Sequence, residues 1–296
     1  EITMNKAIKI GLTLVIIGLV LAVVFGVVSG EGFQTEEYTL VEQNYTVDQF
    51  DMFSFDLENK AVTVQTTDSN TVTVTYYVSE RDAINVTENG TSISFVEDVE
   101  WYNWFVFGFS WFQDPAVDHV IISIPADLMV SFEIVTSNGA ITMEGLNAIQ
   151  SLDLDTSNGG IELTDLAIAE NLVAHSSNGG LDLTNLAVDG TIVATTSNGK
   201  VDVSGLVAES VDLRTSNGNM ICSSVQTDEL SLDTSNGSIT VNVAGVFEDY
   251  SLTMMTTNGH YEINGETVVI NHYHDDASKS IECVTSNGNI YINFSQ

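Results

Sequence analysis

Basic residues are scarce in this 296-residue chain, which has 7 lysines and arginines against 41 aspartates and glutamates and a net charge of −34. Affinity for phosphate backbones requires clustered Lys and Arg, so this balance excludes nucleic acid as a partner. Proline occurs only twice, and no charge run or low-complexity tract marks a linker between folded domains. We therefore expect one large acidic domain.

Cysteine is equally rare. Cys222 and Cys283 fall at apolar positions of different strands in the repeat pattern described below, roughly three coils apart and beyond disulfide reach. They are predicted to be buried free thiols.

Catalytic groups are sparse too, because no nucleophile in the sequence has a base and an orienting group beside it. The sequence predicts a protein that is not an enzyme, with a carbohydrate-active enzyme as a minor alternative.

One short motif is abundant. TSNG or a one-letter variant recurs eight times, with spacings of 20, 20, 20, 19, 19, 22 and 29 residues between its asparagines. A nearly fixed period of this length indicates a solenoid or an array. The asparagines are Asn138, Asn158, Asn178, Asn198, Asn217, Asn236, Asn258 and Asn287.

Apolar and polar residues alternate on both sides of each motif, as in Leu152-Asp153-Leu154 before one copy and Ile161-Glu162-Leu163 after it. Each repeat is therefore two short strands with one apolar face. Hairpins closed by the Asn-Gly turns are one interpretation. Equivalent side chains at equivalent places favour another: an all-β, single-stranded parallel β-solenoid, with about 20 residues per coil and successive coils about 4.8 Å apart.

Equivalent residues stack in a solenoid, so the eight asparagines predict a structural ladder of side-chain amides in which each Asn is a buried partner of its neighbours. The glycine after each Asn is expected to supply the positive φ of a tight corner. Both roles are structural and require no ligand.

Carboxylates are predicted to stack in the same way. Glu162, Asp182 and Asp202 would form an acidic row with a spacing of about 4.8 Å, which is destabilising unless salt or cations screen it. Either the protein is adapted to high salt, or divalent cations bind weakly along the row. No DxDxDG loop offers defined calcium ligands, and no other cofactor is predicted.

A second weak metal candidate lies in the enlarged spacing before the last motif. His272, His274 and Asp275 could ligate a metal on a loop. The simpler interpretation is a solvated loop with two ordinary histidines.

A hydrophobic run occupies the N-terminal region. Ala7–Val28 contains one charge and is long enough for a transmembrane helix. Lys6 and Lys9 lie at its start and acidic residues follow it, so the N-terminus is predicted inside the cell and the solenoid outside. A cleaved signal peptide ending near Gly30 and a polymerising pilin-like helix are the alternatives.

The predicted domain organisation of the chain is 1–30 cytoplasmic tip and transmembrane helix, 31–50 linker, 51–131 irregular first coils and aromatic cap, and 132–296 regular solenoid.

All three tryptophans, Trp101, Trp104 and Trp111, lie in the segment WYNWFVFGFSWF. Its apolar residues fall on both faces of a strand, so part of the segment needs cover beyond one sheet face. The structural interpretation is a cap over the first coil. The functional interpretation is a patch that contacts the bilayer interface, sugars or a partner.

Sequons are compatible with an exported protein that is glycosylated. The predicted sites are Asn44, Asn85, Asn89 and Asn293. A fifth sequon, at Asn236, coincides with the ladder and is expected to be unavailable.

The TSNG turns, the hydrophobic N-terminal segment and the aromatic stretch together resemble the "putative adhesin" family of bacterial and archaeal surface proteins, from about Met4 to the C-terminus. The resemblance implies a right-handed parallel β-helix on the cell surface and no catalytic residues. The predicted function is a membrane-anchored surface protein for adhesion or envelope interactions, with a glycan or protein partner. The alternative is a self-assembling subunit of an envelope assembly or filament.

Overall fold

The computed structural model describes residues 37–80, 82–99, 115–269, 271–274 and 277–295. The chain divides into two compact units, and the described residues fall almost wholly in the second, Thr39–Gln296. Within the described ranges no helix is long and apolar enough to cross a membrane. The predicted transmembrane segment Ala7–Val28 and the aromatic segment Trp101–Phe112 both lie outside these ranges.

Short strands dominate the second unit. In chain order they are β1 (Thr39–Thr46), β2 (Met52–Leu57), β3 (Ala61–Thr66), β4 (Thr71–Val78), β5 (Asp82–Asn89), β6 (Ser92–Val99), β7 (His119–Ile124), β8 (Val130–Thr136), β9 (Ile141–Glu144), β10 (Ile149–Thr156), β11 (Ile161–Ile168), β12 (Leu172–Ser176), β13 (Leu181–Val188), β14 (Thr191–Thr196), β15 (Val201–Val207), β16 (Ser210–Thr215), β17 (Met220–Gln226), β18 (Glu229–Thr234), β19 (Ile239–Ala244), β20 (Tyr250–Thr256), β21 (Tyr261–Ile263), β22 (Glu266–Val268), β23 (His272–Tyr273), β24 (Lys279–Thr285) and β25 (Ile290–Ser295). Among the residues described, two 3₁₀ helices, Pro115–Asp118 and Phe247–Asp249, lie between strands.

Two parallel arrays of strands run along the stack. One contains the strands before each corner, in the spatial order β6-β2-β8-β10-β12-β14-β16-β18-β24-β20. The other contains the strands after each corner, in the order β7-β3-β9-β11-β13-β15-β17-β19-β25-β21. One strand from each array makes a coil, so the all-β parallel solenoid is confirmed. Its handedness stays a prediction.

The coils do not all stack in sequence order, and the prediction of successive stacking was wrong at both ends. Coil β2–β3 lies between coils β6–β7 and β8–β9. Coil β24–β25 lies between coils β18–β19 and β20–β21. At both ends the coils change order where the stretch of chain between two corner asparagines is long. The extra residues are needed because the chain must pass the outermost coil before it returns to a position inside the stack.

Side-chain alternation explains the core. In β10, Leu152 and Leu154 are buried and the intervening Asp153 is exposed. Leu152 is in register with Phe132 of β8 and Leu172 of β12, so apolar residues stack on apolar residues from coil to coil. Burial of each such side chain stabilises the fold by about 1.5–3 kcal/mol relative to exposure.

A second corner interrupts the strands that follow the motif. In β11, Leu163 and Leu166 are both buried although they are three residues apart, because Asp165 between them has a φ of 54°. The left-handed residue resets the alternation and turns both flanking segments towards the same interior. Equivalent positions also have positive φ: Gly145, Asn185, Gly205 and Ser224.

Antiparallel strands cover both ends of the parallel arrays. At one end β5 pairs with β6, β4 pairs with β7, and β1 pairs with β4. At the other end β22 pairs with β21 and β23 with β20. Aromatic side chains pack at both ends, including Tyr45 against Phe50 and Phe53, and Phe247 against Phe294. These strands protect edges that would otherwise be templates for association.

Candidate functional site

The motif asparagines form a continuous hydrogen-bonded ladder. Each side-chain amide donates to the Oδ1 of the Asn in the neighbouring coil, with N–O distances of 2.7–3.0 Å. The spatial order is Asn59, Asn138, Asn158, Asn178, Asn198, Asn217, Asn236, Asn287 and Asn258. The sequence did not predict Asn59, because a lysine follows it instead of glycine. The ladder is exposed to solvent, so the expectation of buried partners was wrong.

A second ladder, of hydroxyl groups, lies beneath the asparagines and is buried except at Thr256, which is half-buried. Thr156 Oγ1 donates to the carbonyl of Gly139 at 2.9 Å and accepts from the backbone N–H of Gly159 at 3.1 Å. The same donation to a neighbouring coil recurs at 2.8–3.1 Å for Thr136, Ser176, Thr196, Thr215, Thr234, Thr256 and Thr285. The Thr or Ser at the start of each motif was the available signal, and it satisfies buried backbone groups.

The motif glycines are required by contact and not by positive φ, which corrects the prediction. None of them has a positive φ in the structure. A Cβ on Gly179 would lie 1.8 Å from the carbonyl oxygen of Gly159, and the other motif glycines have the same clash at 1.9–2.0 Å. Coil stacking at this corner therefore brings backbone against backbone, which only glycine permits.

The predicted acidic row forms as expected. Glu162, Asp182 and Asp202 are in register on β11, β13 and β15. Lys200 lies beside the row, with its Nζ 3.1 Å from Asp202 and 3.7 Å from Asp182. The hydrogen bond to Asp202 and the charge of Asp182 raise the pKa of Lys200. All these side chains are at least one-third exposed, so their mutual energies are small.

The two weak metal candidates do not gain a geometric basis. His272 Nδ1 shares a hydrogen bond with Thr253 Oγ1 at 3.0 Å, and the His274 ring packs edge-on against Phe247 at 4.7 Å. Asp275 lies outside the described residues. Across the part of the chain that the structure describes, no group of three or more His, Cys, Asp or Glu side chains is arranged to hold a metal.

The two thiols are free and buried. Cys222 lies on β17 and Cys283 on β24, and the exchange of coil order leaves one coil between them instead of the two expected. Burial raises the pKa of both thiols, that of Cys222 to about 12. They act as small apolar core residues.

Three of the sequons cluster at one end of the stack. Asn44 is exposed on β1, and Asn85 and Asn89 are exposed on β5. Asn293 is half-buried and donates to Asn242 Oδ1 at 3.0 Å. The first three therefore offer better access for a glycan than Asn293.

A buried charge cluster, formed by Lys60, Asp82 and Glu97, lies at the end of the ladder. Lys60 takes the place of the motif glycine and is 1% exposed. Its ammonium donates to Asp82 Oδ2 at 2.6 Å and to the Val117 carbonyl at 3.4 Å, and its Nζ lies 3.5 Å from Glu97 Oε1. The cluster could have been suspected from the sequence, because Lys60 follows an alternating strand and Asn59 at the position where the other corners have glycine.

The two carboxylates of the cluster differ in their hydrogen-bond partners. Glu97 Oε2 accepts from the backbone N–H groups of Glu58 and Asn59, at 2.5 and 3.2 Å. Asp82 Oδ1 is the one buried side-chain oxygen or nitrogen without a hydrogen-bond partner among the described residues. Burial raises the pKa of Asp82, against the opposing effect of Lys60, and the charge of Glu97 adds to the rise.

The fold and its ladders define a capped parallel β-solenoid of stacked short coils. The family model described as Toastrack DUF4097 matches residues 50–293, and the chain belongs to that family.

Solved structures with a similar backbone path have low sequence identity to this chain. A "putative adhesin" from Bacteroides fragilis is 12% identical, with 87% of this chain and 97% of that chain covered and a TM-score of 0.46. A "putative cell adhesion protein" from Clostridium sporogenes is 10% identical over 88% and 100%, with a TM-score of 0.29. A "putative lipid binding protein" from Parabacteroides distasonis is 9% identical over 88% and 97%, with a TM-score of 0.37. No curated protein matches. Likenesses this distant carry no argument about function.

Proposed function

We propose that this chain is a non-enzymatic, membrane-anchored surface protein that serves adhesion or envelope interactions. The main support is that the polar groups repeated in every coil already have structural partners. The ladder amides bond one another and the hydroxyls bond backbone carbonyls, so the repeated motif builds the stack and leaves no repeated reactive group. What remains for recognition is the outward face of the coils.

The anchor would be Ala7–Val28, with Lys6 and Lys9 on the cytoplasmic side and the solenoid outside the cell. Protease added to intact cells should then digest the solenoid and spare an N-terminal tag. Cleavage of that tag from outside would contradict the proposed orientation.

The proposed partner is a surface glycan or protein that tolerates an acidic face. The purified chain, reconstituted in neutral vesicles, should bind a glycan panel or whole cells and leave the bound glycan intact. Raising the salt concentration should weaken binding if the acidic row contributes, because exposed charges are screened within about 10 Å at 0.1 M salt. Release of sugar fragments would overturn the non-enzymatic assignment, and absence of binding would overturn adhesion.

A filament or envelope subunit is the second candidate. The antiparallel strands at both ends disfavour end-to-end stacking of coils, because they interrupt the parallel pairing that a second copy would have to continue. Detergent extraction followed by size measurement should therefore give a small particle. A large regular particle would favour the subunit instead.

A further inference from the structure

The cluster of Lys60, Asp82 and Glu97 has the composition and burial of a reactive site. We propose that Lys60 and Asp82 become joined by an amide bond within the folded chain, with Glu97 as the acid–base group. The product would be a covalent link between the start of β3 and the start of β5.

The geometry brings the reacting groups together. Lys60 Nζ lies 2.6 Å from Asp82 Oδ2, just below the usual range of charge-assisted N–H···O hydrogen bonds, about 2.7–2.9 Å. Glu97 Oε1 lies 3.5 Å from the same nitrogen, within reach of a proton transfer after a small movement. An amine and a carboxyl group that are held together react as if each were present at a very high concentration. Two free molecules in water do not have this advantage, and their condensation is correspondingly slow.

Water is largely excluded from the site. The exposed fractions of the Lys60, Glu97 and Asp82 side chains are 1%, 2% and 15%. Condensation releases water, so exclusion of solvent also disfavours the reverse reaction. A buried ammonium and carboxylate are costly as ions, and proton transfer between them gives the amine and the carboxylic acid, which are the reactive forms.

The excess of carboxylates around the site favours protonation of one of them. Two carboxylates of the cluster face one ammonium, and Asp118 is close enough to interact with both Lys60 and Asp82. Glu97 is fixed as an acceptor by two backbone N–H groups, whereas Asp82 Oδ1 has no such donor among the described residues. The raised pKa of Asp82 agrees with its being the carboxyl that holds the proton.

The reaction balances without any co-reactant. The ammonium of Lys60 first gives a proton to the carboxylate of Asp82. The amine nitrogen then attacks the Asp82 carboxyl carbon, and a C–N bond forms. Glu97 takes a second proton from that nitrogen and delivers it to the hydroxyl of Asp82, whose C–O bond breaks. One water leaves, the amide remains, and Glu97 returns to its starting state.

The test is the mass of the denatured full-length chain. A sample purified from cells should be lighter than its sequence by one water, and digestion with an acid protease should yield a branched peptide containing Lys60 and Asp82. A chain at its full sequence mass, with both residues recovered in separate linear peptides, would overturn the proposal.

Two variants assign the chemistry. Glu97→Gln keeps the size of the side chain but removes the proton carrier, and it should show complete loss of the branched peptide. Lys60→Arg keeps a cation that is not nucleophilic and should also remain at full mass. Lys200→Arg, at an exposed ion pair, is the matched control and should still lose one water. If Glu97→Gln folds, by circular dichroism, and still forms the branched peptide, the role given to Glu97 is wrong. If Glu97→Gln does not fold, Lys60→Arg and the wild-type digest decide whether the bond exists.

Discussion

The corner Thr156–Gly159 in the middle of the stack and the corner Glu58–Lys60 near its end share one asparagine ladder but satisfy their buried groups differently. The central corner uses a hydroxyl and the absence of a Cβ. The end corner places a lysine where the glycine would be and surrounds it with carboxylates.

The difference reflects what lies next to each corner. A central corner has an identical corner on both sides, so backbone meets backbone and glycine is required. Beyond Lys60 the next coil, β6–β7, has no TSNG motif, since β6 and β7 are joined through residues 100–118. The lysine side chain extends towards that coil and meets Asp82 and Glu97 there. Glycine is therefore required at corners that lie between two similar corners, and a large side chain is possible at the corner where the motif ends.

The largest effect is expected from a methyl group at a central corner. Gly179→Ala places a Cβ 1.8 Å from a backbone oxygen and should lower the free energy of unfolding by more than about 4 kcal/mol. Gly180→Ala is the control, because its Cβ would be 3.4 Å from the nearest atom. Thermal melting of both should separate them clearly, and equal stabilities would contradict the close approach of the coils.

Removing the cation at the end corner should come next. Lys60→Met removes the partner of two buried carboxylates, whether that partner is held as an ion or through the proposed amide bond, and should cost at least about 3–5 kcal/mol. The matched change Lys200→Met, at a lysine that is 57% exposed, should cost less than about 1 kcal/mol. Denaturant titration would measure both. If the two variants lose the same stability, the end cluster is no more important than a surface ion pair.

The buried hydroxyl ladder should matter more than the exposed amide ladder. Thr156→Val has nearly the same shape but leaves the carbonyl of Gly139 and the N–H of Gly159 without a partner. We expect a loss of about 1–3 kcal/mol. A melting temperature equal to that of the wild type would show that water replaces the hydroxyl.

The smallest effect is expected for the exposed ladder. Asn178→Ala breaks the bonds with Asn158 and Asn198, but water can replace them at this surface, so the loss should be about 0.5–1.5 kcal/mol. This is less than a buried ladder would predict. A larger loss than for Thr156→Val would reverse the order of the two ladders.

The fold class could be predicted from the sequence because period and alternation are local. Leu152 and Leu154 point inwards for the same reason in every coil. The exchanged order of coils could not be predicted, since β20 and β24 have similar alternating patterns and either could pair with β18. The charge cluster was missed because Lys60, Asp82 and Glu97 are distant in sequence, and Asn59 was missed because Gly does not follow it.

The exchange at the C-terminal end has a consequence for how this chain is made and how it can change in length. Coil β20–β21 leaves the ribosome before coil β24–β25, although that later coil is its only parallel neighbour among the described strands. It therefore has no parallel neighbour until the last residues are translated. In coils β10–β11 through β16–β17, neighbours in sequence are neighbours in space. We therefore expect duplication or deletion of a whole repeat to be tolerated between these coils, where both junctions are preserved, and not at the ends.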